Sequence, residues 1–157
     1  MILLYLMEQG LLTKPVIYIS YFFKKNQIEY YDRISEVRRS GNFEQWIRFF
    51  WEAVSKAASD SLEAINRLTA LHDTNVQRLP KTNRSKDNLR AVFDYIEQYP
   101  IIDIKRTAKE LEVSYNTVAT AVKKLMELGI LQETTNAARR NRVFAYEEYL
   151  EILRKDT

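Results

Sequence analysis

Ile104 to Leu131, IKRTAKELEVSYNTVATAVKKLMELGIL, reads as two short helices joined by a tight turn and closed by a glycine. Thr107, Ala108 and Leu111 share one face of the first helix at three- and four-residue spacing. Glu112 and Val113 make the turn, with Val113 as its apolar plug. Ser114 suits the cap of the second helix, since its hydroxyl can accept from free amides of the next turn. Val118, Val122 and Leu125 form an apolar stripe there, widened by Ala121. Tyr115, Asn116, Thr120, Lys123, Lys124 and Glu127 occupy the opposite face. This is the helix-turn-helix pattern, whose second helix offers a polar face to the major groove of DNA.

The flanking sequence extends the pattern. Gly129 ends the second helix, Ile130 to Thr134 alternates like a strand, and Asn136 to Asn141 makes a basic turn. Arg142 to Ala145 can return as the paired strand, giving a wing with an arginine-rich tip. Upstream, Ser85 to Gln98 supplies a helix capped by Ser85, with Leu89, Val92, Phe93 and Ile96 as its buried stripe. Pro100 stops it, and Ile101-Ile102 can form a small first strand. The carboxy-terminal half, residues 81–157, therefore reads as a winged helix-turn-helix domain.

On that reading Ser114, Tyr115 and Asn116 enter the groove. Asn116 can pair with an adenine edge, and Thr120 can reach a base or methyl group. Lys123, Lys124 and Arg106 hold phosphates, while Arg139, Arg140 and Arg142 meet the minor groove or backbone. Blander readings stand beside these. Lys123 and Lys124 can simply complement a helix dipole, and the three arginines can be a solvated hairpin tip. Helix-turn-helix units also serve as protein-interaction modules.

The 157 residues carry a net charge of +3, but the charge is unevenly spread. Lys and Arg number 12 against 9 Asp and Glu in residues 1–84, and 12 against 12 in 85–157. The proposed DNA-binding half is thus neutral overall, its positive charge clustered at Lys105-Arg106, Lys123-Lys124 and Arg139-Arg140-Arg142. The absence of cysteine excludes disulfides and cysteine-ligated zinc. Three glycines and three prolines argue for a mostly helical chain. MILLYLMEQG is short and lacks the basic flank of a signal peptide. No run approaches the roughly 20 apolar residues of a membrane span. A soluble, cytoplasmic protein without membrane contact is expected.

Residues 1–80 read as helices. Met1 to Gln9 is apolar on nearly every side, as a buried helix would be, with Gly10 just past its end. Thr13 and Pro15 start a helix over Val16 to Lys25 carrying Ile17, Tyr18, Tyr21 and Phe22. This aromatic stretch suits core packing better than base stacking. Asn26 caps a third helix with Ile28, Tyr31, Ile34 and Val37 on one face, ending near Ser40-Gly41. Asn42 opens a long helix, Phe43 to about Leu79, with Trp46, Ile47, Phe50, Val54, Leu62 and Ile65 among its apolar positions. At 1.5 Å per residue it would extend roughly 55 Å, so it is expected to bend, break or pack on another subunit as a homo-oligomer. His72 to Arg84 is polar, contains Pro80 and reads as a linker, with His72 a solvated residue in it.

This amino-terminal half resembles Fic proteins in the part that follows their active-site loop. The likeness lies in Glu8-Gln9-Gly10-Leu11-Leu12, Lys14-Pro15, Ile19-Ser20-Tyr21-Phe22, Tyr30-Tyr31 and Gly41-Asn42-Phe43-Glu44-Gln45-Trp46. It continues along the long helix, and many Fic proteins end in a winged helix, so it spans nearly the whole chain. The resemblance implies a parent protein that transfers AMP from ATP to hydroxyls of a target protein. That chemistry uses a His-Pro-Phe-x-(Asp or Glu)-Gly-Asn-Gly-Arg loop, which this sequence lacks. It has one histidine, three separated glycines and no phosphate-binding loop. The resemblance therefore implies a carboxy-terminal portion, without the amino-terminal Fic core, that is catalytically silent and binds no cofactor. The alternative is a winged helix and long helix that act as a protein-interaction or dimerisation module.

Overall fold

A computed structural model describes residues 2–13, 18–80, 86–134 and 142–155. The chain is mostly α-helical, with one small sheet. It divides into two compact units, the first reaching Asn66 and the second running from Arg67 to Lys155. No helix among the described residues is long and apolar enough to cross a membrane.

The first unit contains α1 (Ile2–Glu8), α2 (Ile19–Lys25), α3 (Gln27–Ser40) and the start of α4 (Glu44–Arg78). Its core is Ile19, Ala53 and Ala57, with Leu12, Phe22, Phe23, Val54 and Ala58 packed against it. The residues spaced by four on α4, Phe49, Ala53 and Ala57, are the buried line of that helix. Aromatic rings fill the space above them: Phe23 stacks on Trp46 at 6.3 Å, and Tyr30 meets Trp46 edge-on at 5.5 Å.

Several expectations for this unit are corrected. Helix α1 is not buried: Leu4 is 70% exposed, and Tyr5 and Leu11 are exposed beside it. Helix α2 begins at Ile19, with Tyr18 outside it and exposed; Pro15 and Ile17 lie outside the described residues. Asn26 stands at the start of α3 as expected but its side chain makes no cap bond there, its carboxamide donating back to the Phe22 carbonyl at 2.9 Å. Nor do Ile28 and Tyr31 face inward on α3; both are exposed, and Tyr30 makes the inward ring contacts instead. Gly41 ends α3 at φ 69°, the left-handed region that glycine enters at no steric cost. The long helix runs unbroken from Glu44 to Arg78.

That last observation relocates His72. Residues His72 to Arg78 are helix rather than linker, and they belong to the second unit. The His72 Nδ1 sits 2.8 Å from both carboxylate oxygens of Glu97, and its ring lies 5.9 Å from that of Phe93. The polarity of the stretch misled because its buried positions, Leu71, Asn75 and Leu79, are spaced by four and one of them is an amide.

The second unit adds α5 (Lys86–Gln98), β1 (Ile101–Asp103), α6 (Ile104–Glu110), α7 (Tyr115–Glu127), β2 (Gln132–Glu133), β3 (Val143–Ala145) and α8 (Glu147–Lys155). Leu89, Val92, Phe93 and Ile96 are buried on α5, as their spacing requires. Ser85 lies outside the described residues. The sheet order is β1-β3-β2, antiparallel throughout, with Ile102 opposite Phe144 and Glu133 opposite Phe144 on the other side. The expected strand over Ile130 to Thr134 shrinks to Gln132–Glu133, since Ile130 and Leu131 are both buried at the helix exit rather than alternating. The order of helices, sheet and hairpin is that of a winged helix-turn-helix.

Tyr146, directly after β3, is wholly buried, and burial pushes its phenol up from its ordinary value of 10.0 to about 12. The unfolded chain therefore loses this proton first as pH rises. Stability from this group is complete below about pH 10 and is lost as pH climbs toward 12. Urea midpoints should fall across that window, and Tyr146→Phe should flatten the fall. An unchanged slope in the variant would assign it to other groups.

Candidate nucleic-acid interface

Two caps fix the helices of the motif. Asp103 Oδ1 accepts from the Arg106 amide at 2.8 Å, fixing the start of α6. Ser114 Oγ accepts from the Thr117 amide at 3.1 Å and lies 2.8 Å from the Thr117 hydroxyl, fixing the start of α7. Between them Glu112 takes φ 54°, the left-handed conformation that reverses the chain. Thr107 and Ala108 are buried on α6, and Val113 is half-buried in the turn. Ser114 was legible as a cap. Asp103 was missed, although an acidic residue directly before an apolar periodic run is the ordinary signature.

Val118, Ala121, Val122 and Leu125 are buried on α7, so the opposite face is presented outward. Asn116, Thr120 and Lys123 fall along it at four- and three-residue spacing, with Tyr115 56% exposed at its first turn. The Asn116 carboxamide makes no hydrogen bond among the described residues, and Lys123 has no ion-pair partner among them. The Thr120 hydroxyl is partly committed, donating to the Asn116 carbonyl at 2.8 Å.

The remaining cations differ from expectation. Lys124 is not free for phosphate: its Nζ lies 3.0 Å from Glu127 Oε2, and that bond holds the Glu127 carboxyl below the usual carboxylate range. Arg142 is held too, its Nε and Nη2 donating to the two oxygens of Glu133 at 2.7 and 2.6 Å. Its guanidinium also covers the Phe144 ring at 5.3 Å. The Glu133 carboxyl is correspondingly lowered. The cause is proximity across the β2–β3 ladder, which the sequence alone could not register. Both pairs are exposed to water, and such pairs exchange readily for other partners. Arg139 and Arg140 lie outside the described residues.

Lys105 and Arg106 are exposed at the start of α6. What this arrangement can do is present one carboxamide, one hydroxyl, a phenol and an ammonium group on the outward face of one capped helix.

No protein-family model matches the chain. Among solved structures, one described as a possible transcriptional regulator from Methanosarcina mazei Go1 is similar to it. The likeness covers 54% of this chain and 78% of that one, at 20% sequence identity and a TM-score of 0.35.

Proposed function

We propose that the second unit is a DNA-binding regulatory module that reads the major groove with α7. The observation that carries this reading is the outward line of Asn116, Thr120 and Lys123, in which the Asn116 carboxamide and the Lys123 ammonium have no hydrogen-bond or ion-pair partner among the described residues. A side-chain amide left without a partner at the start of a capped helix is chemically matched to an adenine edge. Lys123, Lys105 and Arg106 supply phosphate contacts that position without specifying. Lys124 and Arg142 join them by leaving Glu127 and Glu133 for phosphate oxygens.

Two substitutions separate these roles. Asn116→Ala should weaken binding to a preferred duplex by about ten-fold, the scale of one lost base contact, and leave random duplexes nearly unaffected. Lys123→Ala should weaken every duplex and reduce the slope of log affinity against log salt by about one. Both are read by fluorescence anisotropy across a salt series. If the unaltered chain retains no duplex even at low salt, the module does not bind DNA.

A second reading is favoured by Trp51 and Leu62, 63% and 60% exposed on α4, with Ile47 and Ile65 exposed nearby. Such a line suits self-association, as a homo-oligomer through residues 43–79, and sedimentation over a concentration series tests it. The sequence likeness to Fic proteins adds a proposal about origin: that this is the carboxy-terminal, catalytically silent part of an AMP-transferring protein. An in-frame His-Pro-Phe loop encoded ahead of Met1 would support that origin, and ATP titration of this chain should give no binding.

A further inference from the structure

Helix α7 closes through two crossed bonds: the Gly129 amide donates to the Met126 carbonyl and the Ile130 amide to the Leu125 carbonyl, each at 2.9 Å. Gly129 at φ 71° permits this reversal. The Leu128 carbonyl is left outside that pattern, and Arg78, the last residue of α4, donates its Nη2 to it. The same guanidinium donates Nη1 to Asn75 Oδ1 at 2.9 Å. Asn75, with no exposed surface, donates to the Tyr146 hydroxyl at 2.6 Å, and the Tyr146 amide donates to the Pro100 carbonyl at 2.8 Å. Arg78 thus ties the far end of α7 to Asn75, and Asn75 in turn bonds Tyr146, whose amide is held at the joint between α5 and β1. A cation at this position also offsets the negative end of the helix.

The tie sits at the opposite end of α7 from Asn116. At 1.5 Å per residue that is a lever of roughly 18 Å, so a tilt of about 5° at Leu128 displaces Asn116 by about 1.6 Å. Hydrogen bonds to a base edge do not survive such a displacement, whereas flexible lysine contacts to phosphate do. We infer that Arg78 is a positioning residue for sequence readout by α7, an inference that rests on the DNA-binding reading above. Arg78 touches no base; it fixes the angle at which the helix presents Asn116 and Thr120.

The test compares the full chain with Arg78→Ala and Arg78→Lys. The probes are a random-sequence duplex pool and the duplexes that the unaltered chain enriches from it. Arg78→Ala should lose roughly ten-fold on the enriched duplexes, the scale of the base contact that a displaced Asn116 no longer makes, with random-pool affinity and its salt slope kept. Arg78→Lys, which can reach the Leu128 carbonyl but cannot also hold Asn75, should recover part of the loss. Equal losses on both probes with a slope lower by about one would overturn the inference, making Arg78 a phosphate contact. Unchanged affinity on both probes would overturn it as well. Should the unaltered chain enrich no duplex, the DNA reading fails, and amide exchange at Leu128 to Leu131 judges the tie: faster exchange in Arg78→Ala supports it, equal exchange sinks it. If Arg78→Ala does not fold, Arg78→Lys alone must show the selective loss, and its absence overturns the inference.

Discussion

Phe93→Ala should destabilise the second unit by about 3–5 kcal/mol, the largest effect expected of a single truncation here. Phe93 has no exposed surface, and it lies in the middle of the buried stripe of α5 between Leu89, Val92 and Ile96. The His72 ring packs 5.9 Å from it and the Arg90 guanidinium 5.8 Å from its centroid. Removing the ring takes away its transfer free energy and leaves a cavity that α5, held by its neighbours, cannot close. With ~4–8 °C lost per kcal/mol in a unit of this size, melting should fall by more than about 12 °C. Duplex binding should disappear with it at ordinary temperature. Phe93→Leu, which refills most of the space, should cost under about 2 kcal/mol. Calorimetry of both variants decides: similar small losses for the two would mean that the site collapses freely and that the ring does not hold α4 against α5.

Asn75→Ala is the second large effect, at roughly 2–4 kcal/mol. The loss has two parts of different character. Arg78 loses an acceptor but stays exposed, so water replaces it at little cost. The Tyr146 hydroxyl loses its partner where water does not reach, and that unmet group dominates. Tyr146→Phe alone should also destabilise, since it takes from the buried Asn75 Nδ2 the acceptor it has in the Tyr146 hydroxyl. The double variant Asn75→Ala with Tyr146→Phe removes both polar ends and should cost less than the sum of the two single changes. A double-mutant cycle from urea unfolding reads this directly. Strict additivity across the cycle would show that the 2.6 Å contact contributes nothing specific.

The carboxy-terminal half was legible because its instructions are local. Leu89, Val92, Phe93 and Ile96 announce a buried face by spacing alone, and Ser114 announces a helix start within three residues of what it bonds. What was illegible depends on partners far along the chain. Nothing near Arg78 says that it will find Leu128, and nothing near His72 says that Glu97 awaits it. Hence a helical stretch with polar surfaces passed for a linker. In the candidate interface, the face containing Asn116, Thr120 and Lys123 followed from period and cap. The pairing of Arg142 with Glu133 did not, because it is set by strand register rather than by spacing. The amino-terminal error has another cause: MILLYLME is apolar enough for a core, but composition does not say what will cover it, and Leu4 and Tyr5 remain exposed.

The sheet order also dictates a sequence of events during synthesis. Among the described residues strand β1 has β3 alone beside it, and β3 is made last of the three strands. Helices α5, α6 and α7 can collapse on one another while the hairpin is still emerging, for their contacts are between near neighbours in the chain. Ile102 must then wait for Phe144 before its backbone is paired, and Asn75 waits 71 residues for Tyr146. Until that moment the nascent unit is a helical cluster with an open strand edge, the state in which a ribosome-bound chain is most prone to pair with a neighbour.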